Sequence, residues 1–235
     1  MIILETIRTH RKFFNFKHPK IYMYIGLFVA FMAVIAIIII KDEADFDSLS
    51  NTFYTISTVA FLFFSISGLL NRFLKDDILI TKTGKIKVTT AAFLIDEITI
   101  PFEEVTVLDC NILDYSGRTS NSGILTSMYS AGTDNFITIK TENTEIKKQV
   151  LINSDREIAL LFNFLGNQIV LDKFSKMNPK KMIGTFTADF RKTEKARNYI
   201  AKEIKNGTLK TTEGLLMMNY ASDNEAKELR AAYNL

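Results

Sequence analysis

Residues 21–40 read IYMYIGLFVAFMAVIAIIII and residues 53–70 read FYTISTVAFLFFSISGLL, two apolar runs without a charged side chain. At 1.5 Å rise per residue, about 20 residues reach across a hydrocarbon core roughly 30 Å thick. Both runs therefore read as membrane-spanning helices, and residues 21–71 as a two-helix transmembrane hairpin. A cleaved secretory signal would be shorter and would end at small residues, whereas Ile40 runs directly into Lys41, Asp42 and Glu43.

The flanks set an orientation. The connecting loop carries Lys41 against Asp42, Glu43, Asp45 and Asp47, while Arg72 and Lys75 follow the second run. Lys and Arg are retained on the cytoplasmic side during insertion, so a multi-pass inner-membrane protein with both termini cytoplasmic is expected. No ionisable group lies within either run, which argues against a proton relay or ion path. Gly26, Ala30 and Ala33 in the first run, and Ser57, Ala60, Ser65 and Gly68 in the second, are small residues that let helices approach closely. Packing within the hairpin is the simpler use of them, and a homo-oligomer through the hairpin is the other.

Residues 1–20 carry Arg8, Arg11, Lys12, Lys17 and Lys20 against a single acid, Glu5, with apolar residues between them. This suits a basic segment at the membrane surface, as an interfacial helix or an unstructured tail. After residue 76 the pattern changes to period two. Runs at Ile78–Lys82, Lys85–Thr89, Phe93–Ile100, Glu104–Leu113, Ile124–Tyr129, Asn135–Thr141 and Glu145–Ile152 predict about seven strands. Thr83-Gly84 reads as a hairpin turn between the first two, and the small polar residues Ser116–Gly123 as a mobile loop. Ser154-Asp-Arg-Glu157 is a capping box, followed by Ile158, Leu161, Phe162, Leu165 and Ile169 along one helical face.

Seven antiparallel strands closed by one amphipathic helix, with Asp77-Ile-Leu-Ile-Thr-Lys-Thr-Gly-Lys85 and Ile100-Pro-Phe-Glu-Glu-Val105, resemble the bacterial membrane-anchored members of the pleckstrin-homology-like superfold. The resemblance covers residues 76–171. It implies a curved antiparallel sheet that binds or scaffolds a partner behind one or two membrane helices. It also directs attention to Lys82, Lys85 and Lys87 around the first expected turn, with Arg118, as contacts for an anionic headgroup or a partner. Solvated lysines along a sheet edge are the competing explanation.

Residues 172–235 read as a basic helical tail, with eleven Lys/Arg against four Asp/Glu between 172 and 212, where residues 76–171 have eight against thirteen. Lys173, Lys176, Lys180 and Lys181 are candidates for contact with an anionic leaflet. A helix is expected over Phe190–Lys205, stopped at Asn206-Gly207, and a last one after a second capping box at Ser222–Glu225. Aromatic interleaving is sparse and no recognition motif accompanies the basic stretch, so no nucleic acid is expected.

The chemistry-bearing residues are few. There are two His, His10 and His18, one Cys, Cys110, and no Trp. Asp96-Glu97 and Glu103-Glu104 are neighbours in strand-like sequence and point to opposite faces. No catalytic residue, metal ligand or cofactor is expected, and the chain reads as a binding module rather than an enzyme. The expected partners are membrane lipids and another protein. Two other readings stay open: a two-helix membrane effector whose barrel senses a small ligand and whose hairpin oligomerises to disrupt the membrane, and a membrane immunity protein.

Overall fold

A computed structural model describes residues 1–11, 19–40, 46–74, 78–119 and 128–235. In chain order the elements are β1 (Ile2–Arg11), α1 (Pro19–Ile40), α2 (Phe46–Phe73), β2 (Ile78–Val88), β3 (Ala92–Ile95), β4 (Ile98–Pro101) and a 3-10 turn at Phe102–Glu104. There follow β5 (Val107–Ile112), β6 (Ser116–Thr119), β7 (Tyr129–Ala131), β8 (Asn135–Lys140), β9 (Glu145–Leu151) and α3 (Asp155–Val170). The C-terminal helices are α4 (Pro179–Gly184), α5 (Ala188–Arg191), α6 (Glu194–Lys205), α7 (Thr211–Met217) and α8 (Asp223–Tyr233). The chain divides into two compact units, one of residues 1–8, 81–115 and 132–235, the other of residues 9–80 and 116–131.

Among the described residues, seven strands form an open antiparallel sheet in the order β4-β3-β2-β1-β9-β8-β5. Its central strand is β1, where an interfacial helix or tail was expected. Ile2, Ile3, Thr6, Ile7 and Thr9 are β-branched and favour a pleated backbone. Pairing with β9, Glu5 opposite Leu151 and Thr6 opposite Val150, buries Leu4 and Thr6. Lys12 lies outside the described residues.

Two turns also move. β2 runs straight through Thr83-Gly84, and the reversal falls at Asp96-Glu97, where Ile95 pairs with Ile98 and Asp96 takes φ 54°. Asp tolerates this left-handed conformation better than most residues. Gly84 serves a different need: a Cβ there would stand 2.0 Å from Asp96 Oδ1. The expected strand Phe93–Ile100 is therefore the hairpin β3–β4. Ser116–Thr119, expected in a loop, pairs with Tyr129–Ala131 as the ribbon β6–β7, and Ile124–Ser127 of another expected strand lie outside the described residues.

The helical tail packs on the sheet. Leu161, Leu165 and Ile169 of α3 are fully buried, in one core with Ile86, Val88, Phe93, Ile137, Ile139 and Val150 of the sheet and Ile183, Ile200 and Leu229 of the tail. Each such side chain contributes about 1.5–3 kcal/mol by removal from water. The Phe174 ring stacks on Phe102 at 4.6 Å between centroids, and Phe102 meets Phe93 edge-on at 5.0 Å. Side-chain caps punctuate the helices. Ser154 and Ser222 accept from the Glu157 and Glu225 N–H groups, and each Glu reaches back to the N–H of the residue before its serine. The helix expected over Phe190–Lys205 is broken at Thr193, whose Oγ1 accepts from the Ala196 N–H and starts α6 afresh.

In the other unit α1 and α2 are long and apolar enough to cross a membrane, and only 22% of the first and 17% of the second is buried. Core helices of a water-soluble body would be mostly covered. Gly26 makes their contact possible: a Cβ there would lie 2.8 Å from the Ala60 carbonyl oxygen and 3.0 Å from the Phe64 nitrogen. Buried or half-buried positions recur on α1 at Met23, Gly26, Ala30 and Ala33, and on α2 at Ser57, Ala60, Phe64, Ser67, Gly68 and Asn71. Ser65 is not in this seam. It is exposed, and its hydroxyl donates to the Phe61 carbonyl at 2.9 Å.

Candidate functional site

The lysines singled out around the first expected turn do not straddle a turn, because β2 has none. Lys82 Nζ pairs with the Glu5 carboxylate at 2.6 Å, tying β2 to β1, and the Thr83 hydroxyl donates to Thr6 Oγ1 at 3.2 Å beside it. Lys85 and Lys87 alternate with the buried Ile86 and Val88, so they stand exposed on the face away from the core. Arg118 lies on β6, in the other unit. The described geometry thus leaves Lys85 and Lys87 as exposed cations on one strand, with Lys82 already committed to an acid.

A second feature comes from pairing that sequence could not show. Lys147 of β9 places its ammonium 5.1 Å from the centre of the Phe136 ring of β8, a cation–π contact on a half-buried aromatic. Lys148, its neighbour, turns the other way and pairs with Asp96 at 3.0 Å. Asp96 is held over Gly84, so the β3–β4 turn reaches towards β9 through one carboxylate.

The basic residues of the tail are largely occupied. Lys173 Nζ donates to the Thr90 carbonyl at 2.5 Å, Lys176 pairs with Glu142 at 2.8 Å, and Lys180 pairs with Glu213. Lys181 is exposed. The hydrogen bond between Lys176 and Glu142 pushes the lysine's pKa up and the carboxyl's down. Both groups are exposed, and such pairs contribute little to stability. Their effect here is positional: Lys173 and Lys176 tie the start of the tail to the β2–β3 and β8–β9 loops. Arg8 is exposed on β1, and Arg11 closes that strand.

One open groove of about 550 Å³ lies where α3 meets α5 and the start of α6, lined by Asn163, Asn167, Asp189, Phe190 and Glu194 among others. It has no histidine or cysteine, and the Asn167 amide is already donated to the Asn163 carbonyl at 2.8 Å. Cys110 on β5 is shielded, and burial pushes its thiol up to about 12, far from a reactive thiolate. Tyr199 is likewise driven upward, first by burial and then by the charges of Glu203 and Asp172. Among the described residues no three His, Cys, Asp or Glu side chains gather as metal ligands.

The position that organises the sheet was not singled out in sequence. Asn135, fully buried at the start of β8, accepts from the Leu113 and Asp114 N–H groups at 3.0 and 2.9 Å and donates to the Gly132 carbonyl at 2.9 Å. It joins the two ends of the chain segment that carries the ribbon β6–β7. Its signal in sequence is faint, an amide at the head of an apolar alternation.

Compared with protein-family models, with curated proteins and with solved structures, the chain finds no match.

Proposed function

We propose that this protein is a two-pass inner-membrane binding or scaffolding module whose sheet, of the pleckstrin-homology-like type, recruits a protein or lipid partner at the cytoplasmic face. One observation carries the reading. β1 and β2 are neighbours in the sheet, and the chain between them is the apolar pair α1 and α2. Strands that share a ladder lie on the same side of a bilayer, so the helices between them must cross it an even number of times. The acidic connecting loop and the cations Lys20 and Arg72 at the opposite end support the cytoplasmic side for the sheet. Seven antiparallel strands followed by the amphipathic helix α3 support the superfold. Lys85, Lys87 and Lys147 with Phe136 offer the partner a cationic, partly aromatic sheet face.

The test uses the full chain. Alkaline washing should leave it in the membrane pellet, and reporters fused at Met1 and Leu235 should both read as cytoplasmic. A photo-crosslinking residue at position 87 or 147 should capture one protein or lipid species, while the same residue at Arg156 should not. Release by alkaline washing, reporters on opposite sides, or equal capture from all three positions overturns the proposal.

A further inference from the structure

The ribbon β6–β7 belongs to the same compact unit as the hairpin. Between them runs a backbone hydrogen bond from the N–H of Met128, the residue before β7, to the Arg72 carbonyl at 2.9 Å. Arg72 stands in the last turn of α2, where a spanning helix leaves the hydrocarbon and where a cation suits both the helix dipole and the headgroups. Its Nε is buried and donates to no acceptor among the described residues. A buried guanidinium N–H without an acceptor is unfavourable, and an anion that meets it is bound correspondingly well.

A second cation comes from the ribbon. Arg118 is exposed on β6, next to Thr119, whose ladder partner is Tyr129, the residue after Met128. One peptide step, one rung and one peptide step, about 3.8, 5 and 3.8 Å, place the Arg118 backbone within roughly 13 Å of Met128. Two long side chains from positions so related can meet on one anion. The planar guanidinium fork matches phosphate oxygens better than an ammonium does. Half-buried Tyr129 adds a ring of the kind found at headgroup depth.

We propose that Arg72 and Arg118 hold the phosphodiester of an anionic phospholipid at the root of the hairpin. The inference rests on the reading that α1 and α2 span the bilayer. That reading puts lipid phosphates, rather than free phosphate, at the depth of the last turn of α2. This site is separate from Lys82, Lys85 and Lys87, with which Arg118 was first grouped.

The experiment measures the thermal stability of the full-length protein in uncharged detergent against added phosphatidylglycerol, with phosphatidylcholine and inorganic phosphate as the other arms. Phosphatidylglycerol alone should stabilise. R118Q and R72Q should each raise the lipid concentration at half-effect by about tenfold, the loss of one charged hydrogen bond. R156Q, on an exposed part of α3, should leave it unchanged. R118Q alters an exposed residue, so a failure of R72Q to fold leaves the test intact. Equal stabilisation by phosphatidylcholine, the same response to inorganic phosphate, or an unchanged half-effect concentration in R118Q overturns the lipid site. Retention in alkali-washed membranes is scored separately: a protein that stays in the pellet but ignores phosphatidylglycerol loses this site and keeps its two-pass topology.

Discussion

Replacing Asn135 with Ala should open the β5–β8 end of the sheet. The side chain is completely buried and makes three hydrogen bonds to backbone groups. Asn135→Ala removes these three bonds; the Gly132 carbonyl keeps the Ile152 N–H at 3.1 Å, so each loss costs about 0.5–1.5 kcal/mol, the net worth of a bond, rather than the penalty of an orphaned group. The sum, about 1.5–4.5 kcal/mol, corresponds to roughly a 10- to 1,500-fold rise in the open population. Cys110 provides the readout. It is the chain's single cysteine, it sits half-buried on β5 opposite Ile137, and its thiol is pushed up to about 12, so it reacts slowly until the strand opens. Thiol labelling of the full-length protein in detergent, under conditions where closing outpaces reaction, reports that population directly. Asn135→Asp should also label fast at neutral pH, because its carboxylate would face the Gly132 carbonyl, and should slow on acidification as protonation restores a donor. An Asn135→Ala rate within about threefold of the parent would refute the reasoning, since three lost hydrogen bonds exceed that even at about 0.5 kcal/mol each.

Other outcomes follow from the same geometry. A fragment of residues 76–235 lacks the central strand β1 and should be poorly folded by circular dichroism, and a peptide of residues 1–11 added in trans should restore ordered signal; a well-folded fragment that ignores the peptide would contradict the sheet order. Gly26→Leu should force α1 and α2 apart and cost about 1–3 kcal/mol of hairpin stability, whereas Ser65→Leu should be neutral, as measured by resistance to a denaturing detergent. The Glu225 carboxyl is held below its ordinary value of 4.5, first by the Ala221 N–H and then by Arg197. Its contribution to α8 is therefore present above that ordinary value and is lost as pH falls through the lower, folded one. Hydrogen exchange in α8, corrected for intrinsic rate, should rise on acidification through this range, and Glu225→Gln should remove the pH dependence.

What was legible in sequence was whatever a few neighbouring residues decide. Two long helices apolar enough to cross a membrane follow from composition alone at residues 21–40 and 53–70, because length and the solvation of each side chain are properties of the local sequence. The caps at Ser154 and Ser222 and the stop at Asn206-Gly207 are hydrogen bonds within one turn, and they stand where the residue types placed them. Strand existence was also readable for β5, β8 and β9, from alternation.

Tertiary structure decided everything that depends on who pairs with whom. Residues 1–20 carry enough cations to suit a membrane surface, and only the ladder with β9 and the place beside β2 make residues 2–11 the centre of a sheet. Thr83-Gly84 has the composition of a turn, but the strand runs through it with the Asp96 carboxylate lying over the glycine, and the reversal stands at Asp96-Glu97. Lys173, Lys176 and Lys180 have the sequence of solvated cations, but Thr90, Glu142 and Glu213 stand opposite them in the fold. In each case the deciding partner is distant in sequence, and a local pattern holds no information about a contact that only the folded chain creates.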